Sequence, residues 1–335
     1  MTVSKVGALL ALLWPMVVVS QAARTVRAAE AGRAAEGADD SGTGRSAGTP
    51  RDPLEVLFIG NSYTAFNNLP AMLEELAGTS DGRTIRAVRH TFGGCTLKRH
   101  VEEKDAIGRI RSGDWDVVVL QEQSLMPVVG RPLMHEYARR LHAEIERLGA
   151  RTVFYLTWAR REIPAMQDGA DPNESVEYAR AMYRISHAAK HVDFDTWRQQ
   201  HQRGLAGGLS GAYFDIAAEL KADVAPVGVA WRMTREAHPQ LTLHASDGSH
   251  PTPAGTYLTA CVFYGVLLGK SPEGLPGRIE HNGRVLVDLP ASRAGQLQQI
   301  AWRAVRESAD RVTQSPKSKP VNRSGAAGTT GATAE

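Results

Sequence analysis

The sequence predicts a doubly wound α/β domain, a three-layer α/β/α sandwich on a mainly parallel five-stranded sheet. Short β-rich apolar runs alternate with amphipathic stretches of helical period, which is the pattern of strands joined by crossover helices. The runs are continuous rather than alternating, as strands buried on both faces must be. The chain of 335 residues is 42% apolar and 22% charged, enough to bury one large core once its polar ends are set aside.

In chain order, Leu54–Ile59 is the first strand, ending at Gly60, and Asn68-Leu69-Pro70 opens a helix with Leu69, Met72, Leu73 and Leu76 on one face. Thr84–Phe92 and Trp115–Leu120 are the second and third strands. Pro132–Leu148 is a long amphipathic helix and Arg151–Trp158 the fourth strand. Glu174–Lys190 reads as helix, Val224–Trp231 as the fifth strand and Thr252–Leu268 as a closing helix. Asn282-Gly283 is a hairpin signal within Glu280–Arg284, before a last helix over Ala291–Ala309.

The ends are of different character. Lys5, the apolar run Val6–Val19 and the small residues of Ser20-Gln21-Ala22 form an export signal over residues 1–22. Its apolar run of 14 residues contains Pro15 and is short for a membrane span of ~20 residues, so a cleaved signal is the expectation, with no stable membrane insertion afterwards. Residues 23–52 and 315–335 hold almost no large aliphatic side chains, Val26 and Val321 apart, and are expected to be linker and tail around a domain at 53–314.

The 39 basic and 36 acidic residues nearly cancel and are scattered, which excludes an electrostatic footprint for nucleic acid. Cys95 and Cys261 make neither a disulfide framework nor a structural zinc site; in an exported protein they could pair, and buried thiols are the default. His187, His191 and Asp193 have a zinc-like spacing but lack H-E-x-x-H or a third strong ligand, so neither metal nor cofactor is expected.

Two short blocks carry chemistry. Gly60-Asn61-Ser62-Tyr63-Thr64 falls where the first strand turns into its helix, a position that would display a hydroxyl at the sheet edge; taken alone it reads first as a turn with a local hydroxyl-to-backbone bond. Asp247-Gly248-Ser249-His250-Pro251 precedes the closing helix, and an Asp three residues ahead of a His can hold its near ring nitrogen. Ligand sites in such sheets lie at the carboxyl ends of the strands, where both blocks converge.

This pair, in this order, resembles the SGNH (GDSL-like) hydrolase superfamily of esterases and lipases. Leu57–Thr64, Val119-Leu120-Gln121-Glu122-Gln123-Ser124 and Asp247–Leu258 are similar to a bacterial secreted branch of it. The resemblance implies a flavodoxin-like fold, Ser62 as nucleophile, His250 as general base and then acid, and Asp247 as its orienter. It also implies an oxyanion hole from the amides of Ser62 and a glycine after the second strand, Gly94 or alternatively Gly93. The family's third donor, an asparagine after the third strand, is replaced here by glutamine; Gln121 is expected to serve, with Gln123 as the alternative. Asn61 is a candidate substrate-binding residue. Trp158, with Trp231, is either an apolar wall for an acyl or sugar group or plain core. The expected activity is that of an exported, periplasmic or extracellular serine esterase acting on a small-molecule or carbohydrate ester, most plausibly removing short acyl (acetyl) groups from carbohydrates. An O-acyltransferase with the same triad and a non-catalytic glycan-binding protein are the rival readings.

Overall fold

The computed structural model describes residues 52–80, 82–161 and 208–314. The expected signal, nearly all of the linker, the tail, the helix at Glu174–Lys190 and the trio His187, His191 and Asp193 lie outside the described residues.

Five parallel strands form one sheet in the order β2-β1-β3-β4-β5: β1 Leu54–Gly60, β2 Ile85–Thr91, β3 Val117–Leu120, β4 Arg151–Tyr155 and β5 Asp223–Ala225. The expected three-layer architecture is the one observed. The period of two along each strand sorts its side chains between two cores. Val56, Phe58, Val117, Val119, Val153 and Tyr155 face one layer of helices, and Leu57, Ile59, Val118, Leu120 and Phe154 face the other. The first core contains α2 (Leu69–Gly78), α8 (Val227–Ala237), α9 (Pro253–Leu268) and α10 (Ala291–Gln314). The second contains α4 (Ala106–Arg111), α6 (Arg131–Arg147) and α7 (Gly208–Leu220). The short helices α1 (Ser62–Ala65), α3 (Leu97–Glu102) and α5 (Met126–Val129) lie between strands and longer helices. β2 is one of the two edge strands and is accordingly polar, with Arg86, Arg89 and His90 along it. A separate antiparallel ribbon, β6 (Arg278–His281) and β7 (Arg284–Asp288), turns at Asn282-Gly283 as the sequence predicts.

One element differs in kind. The apolar run Val224–Trp231, expected as a strand, contains only the end of β5; Pro226 follows, and α8 begins at Val227. Proline removes a ladder donor and is at home at a helix start. Trp231 is therefore a buried helix residue rather than a strand-end one. The fourth strand also stops three residues short of Trp158, at Tyr155, and the last helix runs on to Gln314.

The strand order reverses between β1 and β3, and the crevice beyond their carboxyl ends is where such folds place a site. Gly60, Thr91, Leu120 and Tyr155 end their strands there.

Candidate active site

The nucleophile turn is built by close approach. A Cβ on Gly60 would lie 2.5 Å from Gln121 Oε1 and 2.8 Å from Thr64 Oγ1, so only glycine lets the end of β1 sit against the end of β3. Asn61 then leaves the strand with φ −132° and caps α1, its Oδ1 accepting from Tyr63 N (3.0 Å). Ser62 is the first residue of that helical turn. Its amide is one of the donors a helix start leaves orphaned, and it makes no hydrogen bond among the described residues.

The His250 loop meets this turn. His250 Nδ1 donates to Asp247 Oδ2 (2.5 Å), which leaves Nε2 to accept from Ser62 Oγ (2.8 Å). Asp247 Oδ1 also accepts from the amides of Ser249 (2.9 Å) and His250 (3.0 Å). Partial burial pushes the Asp247 carboxyl up, but the His250 ring, these two amides and the charge attraction of His250 outweigh it and hold it at about 2. A hydroxyl, an imidazole and an ionised carboxylate thus stand in one hydrogen-bonded line, the geometry of nucleophile, base and orienter.

Several contacts fix that loop. Tyr63 OH and Ser249 Oγ share a hydrogen bond of 2.7 Å, and Trp158 Nε1 donates to Ser249 O (2.9 Å). Trp158 is sandwiched between Tyr63 (ring centroids 4.5 Å apart) and Trp231 (3.9 Å), each within 3° of parallel. Arg161 donates from its backbone to Gly248 O (2.8 Å) and from Nη2 to Ser246 O (3.0 Å). Phe66, 41% exposed, stacks on the His250 ring at 4.1 Å. Sequence reasoning missed Tyr63, Ser249, Phe66 and Arg161, although the first two stand inside the quoted blocks.

The loops after β1, β2 and β3 are tied into one unit. Asn61 Nδ2 donates to Cys95 O (3.1 Å), and Glu122 Oε1 accepts from both Leu97 N (3.2 Å) and Gln123 N (2.6 Å). Burial of the Glu122 carboxyl, 1% exposed, pushes it up to about 8. His100 Nε2 donates to Gly60 O (2.7 Å), and burial pulls that imidazole down to about 4. In the turn after β2, Cys95 N bonds to Phe92 O (3.1 Å), and Gly94 has φ +62°. No atom lies within 4 Å of where a Gly94 Cβ would be, so conformation rather than space calls for glycine. The Gly94 amide makes no hydrogen bond among the described residues; Gly93 lies beside it in the same exposed turn.

Three expectations about side chains need correction. Gln121, expected to aim its amide at an oxyanion, is fully buried with its oxygen toward the nucleophile turn: Oε1 accepts from Asn61 N (2.8 Å) and Thr64 Oγ1 (3.0 Å), while Nε2 donates to Glu122 O (2.6 Å). The Asn61 N–H requires an acceptor there and the Glu122 carbonyl a donor, which sets the orientation. Asn61, expected to contact substrate, is 3% exposed, and its backbone amide and both side-chain polar atoms are engaged in the turn. Trp158, offered as a substrate wall, is 1% exposed and works as a beam beneath the histidine loop. Gln123, by contrast, is half-buried; its Oε1 accepts from Leu125 N (2.8 Å), and its Nε2 makes no hydrogen bond among the described residues.

Cys95 and Cys261 are buried free thiols, both pushed up by burial. Among the described residues no group of three or more His, Cys, Asp or Glu is placed to hold a metal, and no helix is long and apolar enough to cross a membrane.

Solved structures are similar to this chain, one of them over most of its fold. A DUF4886 family protein from Bacteroides uniformis is 19% identical, with a TM-score of 0.50 over 77% of this chain and 96% of its own. A candidate SGNH hydrolase from Slackia heliotrinireducens is 25% identical over 64% of this chain and 100% of its own, with a TM-score of 0.46. An acetylxylan esterase from Geobacillus stearothermophilus is 17% identical over 63% of this chain and 93% of its own, with a TM-score of 0.39. No family model and no curated protein matches the chain.

Proposed function

Starting from the fold it shares with SGNH hydrolases, we propose that the chain is an exported serine esterase that removes short acyl groups from carbohydrates. The observation that carries this is the line Ser62 Oγ, His250 Nε2 and Nδ1, Asp247 Oδ2, at 2.8 and 2.5 Å, placed where the strand order reverses.

In this reading Ser62 Oγ attacks the ester carbonyl as His250 Nε2 takes its proton. The Oγ–C bond forms while the carbonyl π pair moves to oxygen. His250 then returns the proton to the departing alcohol oxygen as the C–O bond breaks, leaving an acyl group on Ser62. Water, activated by the same imidazole, releases the acid. Asp247 stays ionised throughout, because its carboxyl is held at about 2, and it stabilises the imidazolium without taking the proton. The oxyanion is received by the amides of Ser62 and Gly94, with Gln123 Nε2 as the side-chain donor.

The side chains of His250 and Asp247 are 26% and 49% exposed, so water reaches the base, which favours hydrolysis over transfer. A carbohydrate alcohol part is supported by the rim: Phe66 (41% exposed) and Phe92 (39%) are open aromatic faces beside the triad and the glycine turn. Export rests on the amino-terminal signal alone.

Hydrolysis of 4-nitrophenyl acetate tests the reading. Turnover is expected, with kcat lowered by about 10⁴ or more in Ser62→Ala and in His250→Ala, the two losses not adding. Turnover by Ser62→Ala above a tenth of the unaltered chain contradicts it.

A further inference from the structure

Beside the segment that carries Phe66, one helical turn along the chain from the nucleophile, lies a cleft of about 620 Å³, a size ordinary for a small-ligand site. Ala65 and Asn67 line it on either side of Phe66 in sequence, and the Phe66 ring stacks on His250. Asn67 Nδ2 donates to Pro251 O (3.0 Å) and Thr256 Oγ1 (2.8 Å), joining the cleft to the residue that follows His250. Ala65 ends the helical turn that Ser62 begins, about 5 Å along the axis. The outer wall is the β6–β7 ribbon, through Asn282, Arg284 and Val285.

The lining has a definite chemistry. Arg89, from the edge strand, and Arg284, from the ribbon, bring two positive charges, and no Asp or Glu is among the described lining residues. Nearby arginines are neutralised, Arg86 by Glu55 and Arg278 by Asp288, and the lining residue His281 holds Glu75 Oε1 through Nδ1 (2.8 Å). Arg89 and Arg284 are in no ion pair among the described residues; Arg89 Nη1 reaches only a backbone oxygen, Ala65 O, at 3.4 Å. Arginine forks are suited to carboxylates, and the carboxamide of Asn68 and the carboxamide oxygens of Asn67 and Asn282, whose Nδ2 atoms are engaged within the protein, to hydroxyls. Apolar surface completes the site. Phe66, Phe92 and Val285 are the large hydrophobic side chains that the described part of the molecule leaves exposed; Val285 (42%) lines the cleft and Phe66 borders it. Such faces receive the C–H side of a pyranose ring.

We infer that this cleft is a subsite for hexuronate, so that the carbohydrate carrying the ester is an acidic one, its carboxylate held by Arg89 and Arg284 while a neighbouring acyl group reaches Ser62. The inference rests on the esterase reading for its purpose, but its test is binding.

The full chain carrying Ser62→Ala is titrated calorimetrically with trigalacturonate, with neutral xylotriose and with inorganic phosphate. Trigalacturonate is expected to bind at least about tenfold more tightly than xylotriose, and Arg89→Gln with Arg284→Gln to weaken it by about tenfold or more, as loss of charge-assisted hydrogen bonds does. Arg284→Gln alone, at an exposed ribbon position with no side-chain partner among the described residues, is the companion variant if the pair unfolds; it too should weaken binding. No binding, equal binding of the neutral sugar, phosphate binding as tight as trigalacturonate, or indifference to both substitutions overturns the subsite. Turnover of 4-nitrophenyl acetate by the unaltered chain separates the two claims. Turnover without uronate binding overturns the subsite alone, and uronate binding without turnover overturns the esterase alone.

Discussion

Residue by residue, the legible part of the site was the part written in contiguous blocks. Ser62, Asp247 and His250 stand in short motifs whose spacing already implies a partner, and the fold brings them within hydrogen-bond reach. Which glutamine keeps its amide open was not legible, because two glutamines two residues apart differ only in which way the strand end turns. Gln121 continues the ladder, its N–H bonding to Ile59 O (2.9 Å), and its side chain drops inward as a bolt under the nucleophile turn. Gln123 lies further into the loop, and its Nε2 makes no hydrogen bond among the described residues. Gln123→Ala is therefore expected to lower kcat by about 10²-fold with little change in KM, the loss of one oxyanion donor of about 2.7 kcal/mol or more. Gln121→Ala should instead lower the melting temperature, since it leaves the Asn61 amide and Thr64 hydroxyl without their acceptor. Steady-state kinetics and thermal melts of the two variants check this, and the reverse pattern contradicts it.

Glu122 gives a pH prediction at the same scale. Its carboxyl is pushed from 4.5 to about 8 by burial, so the folded chain holds a proton that the unfolded chain releases. The sign follows: the stability it contributes is full below about 4.5 and is lost as pH rises through about 8. Glu122→Gln keeps an oxygen for Leu97 N and Gln123 N but does not titrate. Its melting temperature relative to the unaltered chain is expected to rise between pH 5 and pH 8.5; a difference that stays flat or falls would show that Glu122 is ionised in the fold.

At the scale of elements, periodicity located β1 to β4, α2, α6, α9 and the ribbon, and failed where a short apolar run was ambiguous. Val224–Trp231 has the composition of a buried strand and of a buried helix alike, and only Pro226 marks the break. The same helix supplies Trp231 to the stack Tyr63, Trp158, Trp231, which no spacing rule announces because its members come from α1, the loop after β4 and α8. That stack props up the histidine loop. Tyr63→Phe keeps the ring and removes the hydroxyl bonded to Ser249. It is expected to cost about 1 kcal/mol in stability and to reduce kcat about tenfold while KM stays close to its original value, because His250 loses a support and not a substrate contact. Kinetics of this variant beside its thermal melt decide the point, and an unchanged kcat would reduce the stack to packing.

Across the whole molecule, three stretches far apart in sequence converge because the sheet order β2-β1-β3-β4-β5 puts the ends of β1, β2 and β3 side by side. The loop carrying Asp247 and His250 is laid over them by α9 and the bridge between His244 and Pro251. The class of fold was readable from the alternation of runs; the tie of Asn61 to Cys95 and of Glu122 to Leu97, which make one rigid edge of three loops, was not, since each joins residues 25 or more apart. On the proposed function, this edge activates one serine. That is tested most directly by treating the folded full chain with a fluorophosphonate and mapping the modified peptide by mass spectrometry. A single adduct on Ser62 is expected, formed with loss of ester turnover and much more slowly in His250→Ala. No adduct, or an adduct elsewhere while turnover persists, would contradict it.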